Sequence, residues 1–422
     1  MYPTLSDFLR EVLGINVPLP IQSYGFLFAL AFITGTLIYA AEYKRKEKLG
    51  SLIPFYVTEK VGAPATPAQL FWTFILMFLV GFKGIEAIFH YNEFVNHPQD
   101  MILSARGSFV GGLIVGIGST VYTWWEKNRK KLPMPELRVK EMLPHQIVGN
   151  MLIFVGLWGL LGAKVFDAIQ PDNFSSFIKD PIGELLSFSG LTFYGGIIVG
   201  FAAGVYYIRK YNINLLQSID AFSPAAALAY AVGRLGCQVS GDGCWGVVNT
   251  SPKPNWLSFL PDWAWSYDYP HNVLDYTSVI SNPANANLSP QEVWNTLQPL
   301  SEPVFPTPLY ESTIMFVAFI ILWSLRKHIK IPGIIFSMYL IFAGLERYFI
   351  ETIRVTNRYD LGLQLSQAQI ISILMVIAGV GMIIYMIIKK DKFIELGKTK
   401  PREINDPELV LKKAEEKEKI TK

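Results

Sequence analysis

The sequence predicts an all-α polytopic membrane protein of about nine transmembrane helices, amino terminus outside, carboxyl terminus cytoplasmic, with a small extracytoplasmic head. Three observations predict it. Of the 422 residues, 51% are apolar and only 17% charged, too greasy for an ordinary soluble domain of this length. The apolar residues gather into runs of about 18 to 24, each long enough to cross roughly 30 Å of hydrocarbon as a helix. These runs do not alternate apolar and polar, which excludes barrel strands, and basic clusters fall in every second loop between them.

Taken in order, residues 1–20 mix Asp7, Arg10 and Glu11 with prolines and read as an amphipathic interfacial segment. They lack the pattern of a cleavable signal peptide, so the first spanning helix is expected to target the chain. The spans are expected near residues 21–41, 69–90, 108–125, 146–168, 190–208, 219–237, 308–325, 332–350 and 367–388. The basic clusters are Lys44, Arg45, Lys46 and Lys48; Lys127, Arg129, Lys130 and Lys131; Arg209 and Lys210; Arg326, Lys327 and Lys330; and the Lys-rich tail. Their alternation orients the chain by the positive-inside rule, whereas the net charge of +3 decides little.

Five segments follow: the interfacial residues 1–20, a membrane core over 21–246, an extracytoplasmic head over 247–306, a second stretch of core over 307–388 and a charged cytoplasmic tail over 389–422. The head interleaves Pro252, Pro254, Pro261, Pro270 and Pro283 with Trp256, Trp263 and Trp265, as expected of a segment resting at the interface. The tail is rich in Lys and Glu and reads as a solvated extension, partly helical or disordered, with no chemistry of its own. The first stretch of core holds an internal repeat of a helix pair, 69–125 and 146–208. Residues 81–89 align on glycine spacing with 159–167, and Val110–Gly116 aligns with Tyr194–Gly200. The two copies run in the same direction, unlike the inverted repeats of many transporters.

The segment from Gly233 to Gly246 (GRLGCQVSGDGCWG) lies where a span meets the outer face. Its five glycines predict a break in the helix that lets backbone approach a ligand. Arg234 there is expensive in lipid unless it snorkels or finds an anion. Arg347, Glu351 and Arg354 follow at spacings of four and three, along one helical face at the same side of the membrane. A salt-bridged helix end would explain that spacing, but two arginines delivered by separate helices can clamp a phosphate. In FPTPLYE, Pro306 and Pro308 preset a helix entry, and Glu311 is expected in the first turn, either as a dipole-favoured acid or as an orienting partner of the arginines. Asp220 is expected to anchor a helix start, and Tyr24 to be an interfacial tyrosine. Cys237 and Cys244 are the only cysteines. Their spacing suggests no metal site, their pairing is open, and neither is expected to be a nucleophile. His90, His97, His145, His271 and His328 are scattered, so neither metal nor other cofactor is expected.

At these residues the chain resembles the prolipoprotein diacylglyceryl transferases, from about Tyr24 to Arg354. The resemblance rests on Gly233-Arg234-Leu235-Gly236 with Gly241-Asp242 and Trp245-Gly246 downstream, on Pro306-Thr307-Pro308-Leu309-Tyr310-Glu311, and on the Arg347, Glu351, Arg354 helix. It implies an enzyme of the bacterial inner membrane that transfers the sn-1,2-diacylglyceryl group of phosphatidylglycerol to the lipobox cysteine of a prolipoprotein, releasing glycerol 1-phosphate. The partners implied are that lipid, that signal peptide and the bilayer, with no nucleic acid. The two essential arginines fall on Arg234 and Arg347. Tyr194 and Asp242 are candidates for handling the thiol proton, with Glu311 or Glu351 as alternatives. Substrate contacts are assigned to Tyr24, Gly195, Gly196, Gly233, Gly236, Cys237, Ser240, Gly241, Gly246, Tyr310, Glu311, Glu351 and Arg354.

The chain departs from the common pattern at four places. Tyr194 precedes Gly195-Gly196 where the family has His-Gly-Gly, and Cys237 stands where Arg-x-Gly-Asn ends. Ser240-Gly241-Asp242 replaces Asn-Gly-Glu, and Phe305 replaces a histidine. The helix pair of 69–125 is expected to be an addition to the common core. The rival reading, an anionic-lipid or small-anion transporter, calls for inverted repeats and polar groups at mid-membrane. The polar groups of this sequence gather at one face instead.

Overall fold

Each apolar run of the sequence is a helix. The computed structural model describes the chain except for residues 97–100, 103, 171–173, 175–176, 182–191, 286–287, 355–357, 360–364 and 422. The amino-terminal helix α1 (Leu5–Leu13) precedes α2 (Ser23–Lys48), α3 (Pro67–Phe89), α4 (Phe109–Arg129), α5 (Val148–Ala168), α6 (Phe193–Lys210) and α7 (Leu215–Ser240). The segment 247–306 holds short helices α8 (Val273–Ser281) and α9 (Pro290–Thr296); α10 (Thr307–Leu325), α11 (Ile334–Thr352) and α12 (Gln367–Ile388) return to the bundle. The tail forms α13 (Lys390–Leu396) and α14 (Pro407–Thr421). All nine expected runs are thus helical, the first two positions of the run near 190–208 lying outside the described residues.

Among the described residues, six helices are long and apolar enough to cross a membrane: α2, α3, α5 with its preceding turn, α7, α10 and α12. The other three, α4, α6 and α11, carry Lys127 and Arg129, Arg209 and Lys210, and Glu346, Arg347 and Glu351 near an end. Side chains such as Leu37, Val110, Ile114, Ile153 and Ile377 are more than half exposed on these helices. Such a belt is stable against lipid and not against water. The starts are set by sequence: Thr66, Ser108, Asn214 and Ser366 each accept a hydrogen bond from the backbone N–H three residues on.

Helix α7 is the hub. Ala227 and Ala231 pack on Met315, Ala318 and Leu322 of α10, small residues allowing close approach. On its other side, Ser218 holds the hydroxyls of Tyr39 and Tyr43 of α2, each at 2.6 Å. Asp220 does anchor a helix start, but that of another helix: its carboxylate accepts the N–H groups of Gly333 (2.7 Å) and Phe336 (2.9 Å) at the beginning of α11.

The break expected in the glycine-rich stretch falls at its third glycine. The helix runs through Gly233 and Gly236 to Ser240 and stops at Gly241, whose φ of 66° is the left-handed conformation of a helix C-terminus. Gly236 lies against Leu27 and Tyr24 of α2, and without competing water a helix keeps its backbone bonds across glycine.

The repeated helix pairs are α3–α4 and α5–α6, and packing corrects their register. A Cβ on Gly81 would meet Gly111 O at 2.5 Å, and one on Gly162 would meet the equivalent Gly195 O at 2.6 Å. Gly81 therefore corresponds to Gly162, not to Gly159. The shifted alignment also superposes Lys83 on Lys164, Glu86 on Asp167 and Ala87-Ile88 on Ala168-Ile169. Strands β1 (Phe55–Val61) and β2 (Glu136–Met142) pair antiparallel and close the base of the first helix pair.

Five basic clusters gather toward one end of the bundle. Glu42 of α2 is buried there and pairs with Arg45 and, at 2.8 Å, with Arg326 after α10; Lys46 donates to Gln217 of α7 at 2.6 Å. The tail is tied to this end rather than simply solvated: Thr399 donates to Ser51 O, Asn405 to Pro54 O and Asn214 to Leu396 O. The segment 247–306 covers the opposite end. Tyr267 bonds Val304, Tyr310 donates to Ala264 O at 2.8 Å, and Tyr269 donates to Gln238 of α7. Burial pushes the Tyr267 and Tyr276 phenols of this cover up to about 12.

Candidate functional site

Under the covering segment, three arginines converge on one carboxylate. Glu311 is fully buried on α10, in its second turn rather than the first, because the helix begins at Thr307. A cap would face solvent, whereas Glu311 points inward. Arg234 of α7 pairs with it directly, Arg354 beyond α11 approaches its Oε1 at 3.4 Å, and Arg347 of α11 at 3.8 Å. Arg347 also pairs with Glu351 one turn on, at 2.9 Å. Glu351 in turn accepts the Ser366 hydroxyl at the start of α12. Three chain segments are thus held together by charge, and the guanidinium groups keep 18 to 30% of their side-chain surface accessible.

Two members of this network were not singled out in the sequence. Tyr230, one turn before Arg234, accepts from its Nε at 3.3 Å and lies 3.4 Å from Glu311 and 3.5 Å from Glu346. Glu346, beside Arg347 in sequence, is buried. Their signal was available: an acid inside a lipid-crossing run calls for a partner, and a tyrosine four residues from an arginine shares its face.

Arg234 and Cys237 line a cavity of about 580 Å³ together with Tyr24, Phe28, Phe222 and Tyr230. It opens along Phe28, Phe32, Leu152 and Gly156 into an apolar groove of about 1050 Å³ between α2, α5 and α6. Gly233 borders the cavity with open space above its Cα. A charged head beside a long apolar trough is suited to an anionic amphiphile.

The remaining sequence-chosen residues divide. Gly195 is pressed against Gly162 O and Phe166 of α5 in close packing of the helix pair, whereas Gly196, beside Gly159, also lines the apolar groove. Tyr194, at the start of α6, is 40% exposed and does not border the arginine cavity. Ser240 is buried and donates to Gly236 O within its own helix. Gly246 is squeezed against Ile353 O, where a Cβ would come to 2.5 Å, and its N–H donates to Phe305 O. Tyr310 anchors the cover. Gly241 turns the chain so that Asp242 accepts the Cys244 N–H at 3.1 Å, and the ligand atoms of Cys237, Asp242 and Cys244 lie within 4.8 Å of one another. Both cysteines are free thiols. Arg234 Nη1 is 3.9 Å from the Cys237 sulfur.

A family profile described as prolipoprotein diacylglyceryl transferase matches residues 112–385, which include α5 to α7, the covering segment and all three arginines. Relatives named phosphatidylglycerol–prolipoprotein diacylglyceryl transferase are similar at a distance. The one from Leptospira interrogans serovar copenhageni is 27% identical over 246 residues, covering 53% of this chain and 66% of the relative. For Chlorobaculum tepidum the figures are 28% over 230 residues, 50% and 65%. For Lysinibacillus sphaericus they are 27% over 251 residues, 60% and 81%. The chain spans just under two thirds of the length of the first two.

Proposed function

This chain belongs to the prolipoprotein diacylglyceryl transferase family, and on that premise we propose that it moves the diacylglyceryl group of phosphatidylglycerol onto the lipobox cysteine of prolipoproteins. The observation that carries the reading is the convergence of Arg234, Arg347 and Arg354 on buried Glu311 beside an apolar groove.

The lipid enters sideways, its acyl chains along the groove and its phosphate against Arg234 and Arg347. Glu311 offsets one of three positive charges and fixes the guanidinium groups, so their remaining donors are preorganised for an anion. The thiolate of the incoming cysteine attacks the glyceryl carbon. A carbon–sulfur bond forms as the carbon–oxygen bond to phosphate breaks, and the electron pair leaves with glycerol 1-phosphate. The charge growing on that leaving group is what the arginines stabilise more in the transition state than in the bound lipid. Tyr24 and Gly233 border the lipid, and Tyr194 or Asp242 is the protein's own candidate for taking the thiol proton.

The positive-inside rule supports nine spans in a bacterial inner membrane, with the basic end and tail in the cytoplasm and the arginine end with its cover outside. That orientation suits a reaction on signal peptides that emerge on the outer side. Incubating the purified protein with phosphatidylglycerol and a lipobox peptide should yield a peptide heavier by one diacylglyceryl group, dependent on the cysteine. Arg234→Ala and Arg347→Ala should each lower transfer by at least about 100-fold while the protein still purifies as a folded species. An unmodified cysteine peptide under conditions where a family relative succeeds would exclude the activity.

A further inference from the structure

The reaction needs a thiolate, and the family's common histidines are replaced by Tyr194 and Phe305. Near the arginine cluster, the turn after α7 brings two thiols and a carboxylate to one point: the ligand atoms of Cys237, Asp242 and Cys244 lie within 4.8 Å of one another. A tetrahedral zinc site with bonds of about 2.3 Å to sulfur holds its ligand atoms about 3.7 Å apart, so small side-chain rotations would close this grouping. We infer that Cys237, Asp242 and Cys244 bind a thiophilic divalent cation such as Zn²⁺ and leave its fourth position for the thiol of the incoming prolipoprotein.

Five features favour this occupant. Two thiolates and a carboxylate suit zinc over magnesium or calcium, which take oxygen ligands. Three protein ligands with a free position are the arrangement of a reactive site; a structural one has four. Cys237 lines the same cavity as Arg234, so a ligand arriving through it reaches both metal and lipid phosphate. Two thiolates and a carboxylate give Zn²⁺ a net charge of −1, and a substrate thiolate makes it −2. Arg234, 3.9 Å from the Cys237 sulfur, offsets that charge. Thr307 fixes the turn by donating to Cys244 O at 2.8 Å, which ties it to the start of α10 and thus to Glu311.

The step balances. The substrate thiol displaces water from the metal and gives its proton to solvent. Its sulfur then attacks the glyceryl carbon, and glycerol 1-phosphate departs as before. Zinc is neither oxidised nor reduced; it supplies a thiolate at neutral pH, the task the missing histidine leaves open.

This inference rests on the transferase reading, and its test separates the two. Protein purified without chelator and kept reduced should hold about one Zn²⁺ per chain, and Co²⁺ in its place should show sulfur-to-cobalt charge transfer in the near ultraviolet. That band should strengthen when a lipobox peptide is added and not when its cysteine is replaced by serine. Cys237→Ser, Cys244→Ser and Asp242→Ala should lose the metal. Chelation of the wild type should lower transfer by about 100-fold, with recovery on adding Zn²⁺. The peptide titration on wild type keeps the question open to refutation if a variant fails to fold. No cobalt band in wild type, a band indifferent to the cysteine peptide, or a Cys237–Cys244 disulfide in protein isolated from membranes would each overturn the site. Full transfer by a folded Cys237→Ser/Cys244→Ser double variant would overturn it while leaving the transferase reading intact. A peptide-sensitive metal site in a protein that never modifies the peptide would support the site and refute the reading.

Discussion

Glu311 has no surface of its own and is surrounded by Arg234, Arg347 and Arg354. Removing its charge leaves three guanidinium groups repelling one another at the edge of the membrane. Breaking a buried pair by deleting one partner costs about 3 to 5 kcal/mol, and the partial exposure of the arginines puts this case near the lower figure, about 3 kcal/mol. Glu311→Gln should therefore lower the melting temperature in detergent and nearly abolish transfer, and added anionic lipid should restore part of the stability by supplying the missing charge. An unchanged melting curve would mean that the arginines do not depend on Glu311. The arginines and Glu311 were legible in the sequence because charges in apolar runs stand out and their spacing sets a common face. The depth of Glu311 was not, since an acid just after a helix-starting proline ordinarily serves the helix dipole. Tyr230 and Glu346 were passed over because a tyrosine in a span reads as packing, and because Glu346 sits beside a more conspicuous arginine.

Helix packing explains where local composition misled. The break expected within Gly233–Gly246 occurs at Gly241, and composition alone did not say that α7 continues through Gly233 and Gly236, where Gly236 meets α2 and no water competes for the backbone. The paired glycines of the repeat were assigned to substrate on resemblance. Gly195 meets the facing helix while Gly196 also lines the apolar groove, and only the three-dimensional register shows that Gly81 and Gly162 do the same work. A Cβ on Gly162 would lie 2.5 Å from Val199 Cβ and 2.6 Å from Gly195 O, so α5 and α6 would have to part. Gly162→Ala should destabilise the protein by about 1 to 3 kcal/mol, with Gly81→Ala doing the same to α3–α4. Gly156→Ala, in the same helix as Gly162 with nothing within 4 Å, should be neutral or slightly stabilising. Thermal unfolding of the three variants in one detergent checks the ordering, and equal stabilities would mean that the helix pairs do not pack through these glycines.

At the scale of the whole molecule, the expected order of helices and their ends needed little more than hydropathy and charge, because lipid forces each apolar run to satisfy its own backbone. How the pairs associate was beyond that reading, since packing between helices in lipid depends on shape. The first helix pair is the clearest case. It packs chiefly on itself, and β1 and β2 bring its two ends together, Phe55 opposite Met142 and Val57 opposite Lys140. The family profile begins at residue 112, inside α4, so α3 lies outside the matched region. An element whose ends meet in a ribbon can be removed with little chain rearrangement. Replacing residues 58–139 by Asn-Gly would join Val57 to Lys140 through a two-residue hairpin turn, which fits strands already in register. Phe55 would keep its packing against Tyr211, and the tail would keep its bond to Pro54. The shortened protein should fold, with its arginine cluster intact and transfer to a lipobox peptide within about threefold of the full chain, since α3 and α4 supply no residue to the arginine cavity. Loss of transfer in a shortened protein that melts as the full chain does would instead assign the duplicated pair a part in bringing one substrate to the site.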